Sequence, residues 1–133
     1  MGYLIIGAGA AGLSAASTIR KYDPRGKITV LSRESVEPYS LCSLPSYLAG
    51  ELPRTKLKRF SKSWWNVQNI TLKLSAEVIG IKPRAKRVEL KGHRPLTFDK
   101  LLLATGSQPV IPPVPGTDLE GIFTLNSLDD SNH

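Results

Sequence analysis

The sequence predicts an α/β fold: a parallel sheet with a small three-stranded antiparallel meander attached. Three observations carry that expectation. Tyr3-Leu4-Ile5-Ile6 runs straight into Gly7-Ala8-Gly9-Ala10-Ala11-Gly12, and a run of small residues follows. A second apolar strand, Ile28-Thr29-Val30-Leu31, comes one helix length later. Between residues 76 and 98, three short segments alternate apolar and polar side chains at a period of two.

The first junction is a strand, a G-x-G-x-x-G turn and a helix start, the arrangement that binds the pyrophosphate of a dinucleotide. Gly7 is expected to make the turn, Gly9 to admit the phosphates, and Gly12 to let helix and sheet pack closely. The helix start at Ala10, Ala11 and Gly12 offers unpaired N–H groups and the positive end of a dipole. Leu13 to Tyr22 continues the helix, with small residues towards the sheet and Arg20 and Lys21 at its carboxyl end. Asp23-Pro24-Arg25-Gly26 stops it, and residues 28–31 complete a βαβ unit. An acid normally ends this second strand and holds the adenosine ribose. Ser32 stands there instead, so Glu34 takes that role if the loop curls back, and Arg33 is a candidate contact to a phosphate-bearing group.

A chain of 133 residues buries one substantial core. No apolar run is long enough to span a bilayer. The first strand begins at once, leaving no room for a signal peptide, and a single cysteine fits a reducing compartment. A cytoplasmic location is the expectation. His93 and His133 stand apart, so no metal cluster is expected. The net charge of +7 is concentrated in Arg54-Thr55-Lys56-Leu57-Lys58-Arg59 and in residues 82–91. Such charge fits a solvated basic face, a phosphate-bearing ligand or an acidic partner; without a stacking motif or recognition helix, nucleic acid is not expected.

Glu37-Pro38-Tyr39-Ser40-Leu41-Cys42-Ser43-Leu44-Pro45-Ser46-Tyr47-Leu48 places the cysteine at the start of a short helical segment. A helix amino end stabilises a thiolate, which makes Cys42 a candidate nucleophile or redox centre; a small buried hydrophobe is the other reading. Residues 61–67 read as a short helix whose two tryptophans pack, and residues 69–74 as a third parallel strand. Residues 76–82, 87–91 and 96–98 form the meander. Phe98 to Leu103 is a further buried strand, ending in Ala104-Thr105-Gly106, where small side chains and free N–H groups suit close ligand approach. A stiff proline linker follows, from Gln108 to Gly116.

Taken together, the Gly7–Gly12 turn, the E-P-Y-S-x-C-x-L-P-x-Y-L segment and Ala104-Thr105-Gly106 resemble the FAD-binding portion of the pyridine nucleotide-disulfide oxidoreductases. The resemblance covers residues 1 to about 125. It is nearest to the single-cysteine branch of coenzyme A disulfide reductases, NADH oxidases, NADH peroxidases and persulfide reductases. It implies FAD as cofactor, NAD(P)H as electron donor, Cys42 as a redox cysteine against the flavin, and a homo-oligomer acting on a small-molecule substrate. It also implies a backbone contact from Val78 to the adenine and passage of Ala104-Thr105-Gly106 beside the flavin nucleotide. Ser43 is placed near the phosphates, or serves as a helix-start residue. Leu41 departs from the Asn of the coenzyme A disulfide reductases, and from the Arg of ferredoxin and rubredoxin reductases, which have Pro in place of the cysteine.

The resemblance implies one nucleotide-binding domain over residues 1–133, with a core to 108 and a linker and edge segment from 109. A second glycine fingerprint for NAD(P)H and the segment that grips the flavin are absent from the sequence. The expectation is thus an incomplete FAD domain whose remainder is supplied by further chain or by a partner subunit. The alternatives are a flavin reductase that passes electrons to a small iron protein, with Cys42 inert, and a non-catalytic nucleotide-binding module or subunit.

Overall fold

The structure is a computed structural model and describes residues 1–132. Strand β1 (Gly2–Ile6) leads to helix α1 (Ala10–Tyr22) and strand β2 (Lys27–Leu31). Short helix α2 (Leu44–Leu48) and helix α3 (Lys62–Val67) precede strand β3 (Ile70–Lys73). Strands β4 (Val78–Lys82), β5 (Arg87–Leu90), β6 (His93–Thr97) and β7 (Lys100–Leu103) follow.

These elements belong to two compact units. The larger comprises Met1–Pro38 and Phe60–Gly106. In it, a parallel sheet has the order β3-β2-β1-β7, and an antiparallel sheet has the order β4-β5-β6. Alternation along β1 divides the core between the two faces of the parallel sheet. Ile5 packs with Leu13 and Ala16 of α1, Ile28 and Val30 of β2, Trp65 of α3 and Ile70 of β3. Leu4 and Ile6 point the other way and join Leu31, Ala76, Val88 and Leu90, so that the meander covers that face. Helices, sheet and meander therefore form three layers.

The third meander strand starts earlier than its apolar residues suggest. Gly92, at φ +70°, turns the chain tightly, and pairing resumes at His93. Pro95 is tolerated because β6 is an edge strand, where a missing N–H leaves no partner unpaired.

Asp23 shows how the end of α1 is tied down. Its carboxylate accepts the Tyr3 hydroxyl at 3.0 Å and the Gly26 N–H at 2.8 Å. The Tyr3 hydrogen bond, aided by the Gly26 and Arg25 N–H groups and opposed by partial desolvation, holds this carboxyl below its usual range. A depressed carboxyl contributes stability that is present above its ordinary pKa and is lost as pH falls through the lowered one. The melting-temperature advantage of the native chain over Tyr3→Phe is thus expected to persist at neutral pH and to shrink as pH falls below about 4. Thermal scans across that range check it; a constant gap would assign the Tyr3 contribution to packing instead.

The smaller unit comprises Tyr39–Arg59 with residues from Ser107 onward. Tyr39 forms an isolated antiparallel bridge with Lys58, and the Ser40 N–H donates to the Leu57 carbonyl at 2.9 Å. The Tyr39 hydroxyl accepts the Leu128 N–H at 2.7 Å. Near the end of the described chain, Ser127 and Asp130 cap each other: the Asp130 N–H donates to Ser127 Oγ, and the Ser127 N–H to Asp130 Oδ2 at 2.8 Å. This S-x-x-D pattern is a helix-start signature.

Candidate functional site

At the carboxyl end of the parallel sheet the chain reverses its direction of growth. From β1 it adds β2 and β3 on one side, and β7 later pairs with β1 on the other. Open α/β sheets bind ligands at this switch point. The Gly7–Gly12 turn and Ala104-Thr105-Gly106 both stand there, because β1 ends at Ile6 and β7 at Leu103 in matched register.

Gly7 has φ +111°, and a Cβ there would lie 2.0 Å from the Ala104 carbonyl oxygen. Its N–H donates to Leu31 O at 2.9 Å, while the Ala104 N–H donates to Ile6 O at 2.8 Å. Three strand ends are thereby fastened at one point. A Cβ on Gly12 would meet the Gly7 carbonyl oxygen at 2.0 Å and Ile5 Cγ2 at 3.3 Å, so α1 packs closer to β1 than any side chain allows.

Gly9 differs. Its backbone is extended, at φ −77° and ψ −172°, and a Cβ there would have nothing within 4 Å. Neither conformation nor packing within the chain requires glycine at this position. It caps α1 without a side-chain hydrogen bond, no acid occupies the first turn, and Ala10 and Ala11 are exposed. An open glycine before a helix amino end with uncapped N–H groups fits an anionic ligand drawn close to the backbone.

Beyond β2, the Ser32 hydroxyl accepts the Glu34 N–H at 3.2 Å. The Glu34 carbonyl accepts the Ser75 N–H at 2.9 Å, and the Ser32 carbonyl accepts the Ala76 N–H at 2.8 Å. The loop does curl, and it is pinned to the segment after β3. Glu34 is half-buried and Arg33 exposed. Val78 opens β4, half-buried against the meander core, with a β-bulge immediately after it. Thr105 and Gly106 are exposed, and Gly106 has φ +74°.

Cys42 and Ser43 belong to the smaller unit. Cys42 is a free, exposed thiol, so the small-buried-hydrophobe reading does not apply. It lies inside a single 3-10 turn, Leu41–Ser43, rather than at the first residue of the helix, which begins at Leu44 and has Pro45 in its first turn. Proline pre-sets the backbone for a helix start, which fixes that boundary. The Ser43 hydroxyl donates to Ser40 Oγ at 3.0 Å. Among the described residues, no cluster of three or more His, Cys, Asp or Glu side chains could hold a metal, and no helix is long and apolar enough to cross a membrane.

Sheet order, glycine turn and open helix end together define an α/β domain of the dinucleotide-binding class. The chain belongs to the pyridine nucleotide-disulphide oxidoreductase family, whose model matches residues 1–133. It is 35% identical over 133 residues to the NADH oxidase of Methanocaldococcus jannaschii, covering 96% of this chain and 30% of that protein. It is 33% identical to the rubredoxin-NAD(+) reductase of Pseudomonas putida, covering all of this chain and 35% of the relative. Among solved structures, the NAD-dependent persulfide reductase from A. fulgidus superposes with a TM-score of 0.88 at 31% identity, over 99% of this chain and 26% of the other. The chain thus spans about a third of the length of the curated relatives it matches. Proteins of this family use FAD with NAD(P)H, and the open backbone at Gly9 fits the pyrophosphate of FAD.

Proposed function

We propose that this chain is the FAD-binding portion of an NAD(P)H-dependent flavin oxidoreductase that reduces a disulfide, persulfide, peroxide or oxygen, with Cys42 as its redox cysteine. The observation that carries the nucleotide part is Gly9: neither its backbone conformation nor packing among the described residues requires glycine, and its open backbone suits a close ligand as well as an N-cap. In this reading, Gly7, Gly9, Ala10, Ala11 and Gly12 cradle the pyrophosphate. Glu34 and Arg33 meet the adenosine ribose and its surroundings. The Val78 backbone reads the adenine, and Ala104, Thr105 and Gly106 leave room beside the flavin nucleotide. Ser43 lies near the phosphates and orients the Cys42 turn through Ser40.

When bound, FAD supplies the two-electron relay between NAD(P)H and the acceptor. The chain's own contribution at Cys42 is nucleophilic. Its thiolate attacks one sulfur of a disulfide or persulfide, a new S–S bond forms, the old one breaks, and the departing thiolate takes a proton from solvent. The exposed position of Cys42 leaves it open to such an attack. The activity belongs to a longer protein or to an assembly with a partner subunit; we place it in the cytoplasm, as a homo-oligomer.

A second reading is an electron-transfer reductase for a small iron protein, with Cys42 inert. It is supported by the likeness to a rubredoxin reductase, while Leu41 matches the pattern of neither branch. One substitution separates the two in the full-length enzyme. Cys42→Ser is expected to abolish disulfide and persulfide reduction while leaving FAD content and NAD(P)H-driven ferricyanide reduction intact. Unchanged disulfide reduction would sink the thiol role and leave the iron-protein reading.

A further inference from the structure

The two edges of the meander differ in a way the nucleotide site does not use. β6 carries Pro95, which cannot donate to an added strand. β4 contains no proline, and among the described residues its backbone faces no neighbouring strand on the outer side. Ile81 lies opposite Val88, yet Ile81 is 36% exposed and Val88 0%. Facing residues on adjacent strands differ this much because, among the described residues, the sheet stops at β4. Ile79, at the bulge, is 63% exposed.

The same strand ends in a cluster of cations. Lys82, Arg84, Lys86 and Arg87 surround a turn closed by the Ala85 N–H to the Lys82 carbonyl and the Lys86 N–H to the Pro83 carbonyl, at 3.1 and 3.0 Å. Glu89 pairs with Lys82 at 2.5 Å and with Arg87 at 3.8 Å. Arg84 and Lys86 have no acidic partner among the described residues, and Arg87 Nε has no hydrogen-bond acceptor. Lys86 holds φ +46°, a conformation that glycine or asparagine adopts at lower cost, so a cation stands where the backbone disfavours it.

We propose that β4 and its hairpin tip dock an extended, carboxylate-rich segment of a partner protein. The segment adds to residues 79–82 as a fourth strand, sets an apolar side chain against Ile79 and Ile81, and brings its acids to Arg84, Lys86 and Arg87. A polypeptide is favoured because only another backbone can pair with a sheet edge. The hairpin has no aromatic platform on which a nucleic-acid base would stack, and a lipid surface supplies no backbone to pair with the edge. The site lies past Val78 and does not depend on the flavin reading.

The test uses a labelled eight-residue peptide of alternating Glu and Val, titrated against the 133-residue chain, with amide hydrogen exchange as a second readout. Binding is expected to weaken at least about tenfold between about 50 and 300 mM NaCl, and by as much in Arg84→Glu/Lys86→Glu. Arg54→Glu/Lys56→Glu, with the same change in net charge, is expected to stay within about twofold of the parent. Exchange at residues 79–82 should slow when the peptide binds. Equal losses in the two variants would reduce the effect to net charge and overturn the proposal. So would unaltered exchange at 79–82, or tighter binding of a poly-dT oligonucleotide or phosphatidylglycerol vesicles that the Arg84→Glu/Lys86→Glu pair abolishes.

Discussion

Gly7→Ala is expected to lose about 3 kcal/mol or more of folding stability, whereas Gly9→Ala is expected to lose about 1 kcal/mol or less, as a poorer N-cap, and to bind ADP at least about tenfold more weakly. The two glycines lie two residues apart and answer to different constraints. At Gly7 a methyl group would enter the Ala104 carbonyl, 2.0 Å away, from a backbone at φ +111° that L side chains rarely adopt. The obstructing atom is main chain in a hydrogen-bonded strand end, so relief requires β1 and β7 to separate. At Gly9 a methyl group meets nothing and the backbone is ordinary. Its cost to folding is confined to a poorer N-cap, and its expected effect on binding is to fill the space we assign to a pyrophosphate. Chemical denaturation and ADP calorimetry on the two variants distinguish these effects. A Gly9→Ala protein that binds ADP as well as the parent would remove the main support for the nucleotide site.

The second large effect is expected at Arg20, where alanine should cost about 2–4 kcal/mol. Its guanidinium donates through Nε to Gln68 O at 2.7 Å, through Nη1 to Asp23 O and Pro24 O, and through Nη2 to Gly26 O and Asn69 O. All five donors meet backbone carbonyls. Two of these, on Gln68 and Asn69, lie just beyond the end of α3; the other three follow α1. One side chain therefore ends two helices and fastens the chain entering β2 to the chain entering β3. Lysine carries the same charge but lacks the planar fork, so Arg20→Lys should recover less than half of the loss. No carboxylate takes part in these bonds, and the stabilisation should change little with salt. Urea midpoints of the parent and both variants, at low and high ionic strength, give the answer.

Much of the fold was legible in the sequence because its signals are local. An apolar run, a glycine turn and a small-residue helix each announce themselves within a dozen residues, and β1, α1 and β2 appear where that pattern puts them. The meander was legible from alternation alone, apart from the early start of β6, which a glycine turn and an edge position explain. Arg20 was readable only as a cation suited to a helix end. That it reaches residues 68 and 69 depends on how α3 packs beside α1. Glu34 was readable only as an acid two places late, and the curl that brings its loop round is made by Ser32 and Ser75. The S-x-x-D pattern at Ser127 was present in the sequence and went unused, although the reciprocal hydrogen bonds form.

By itself, then, the sequence determined the order and type of the main elements and the presence of a G-x-G-x-x-G turn between strand and helix, because periodicity and glycine placement act over a few residues. The tertiary structure supplied the physical ground for the glycine roles expected from the fingerprint: a Cβ would strike the Ala104 carbonyl at Gly7 and meet nothing within 4 Å at Gly9. That distinction rests on Ala104, nearly a hundred residues from Gly7. It also decided that the antiparallel sheet stops at β4 among the described residues, since the exposure of Ile81 depends on what lies beyond a strand and not on the residues within it.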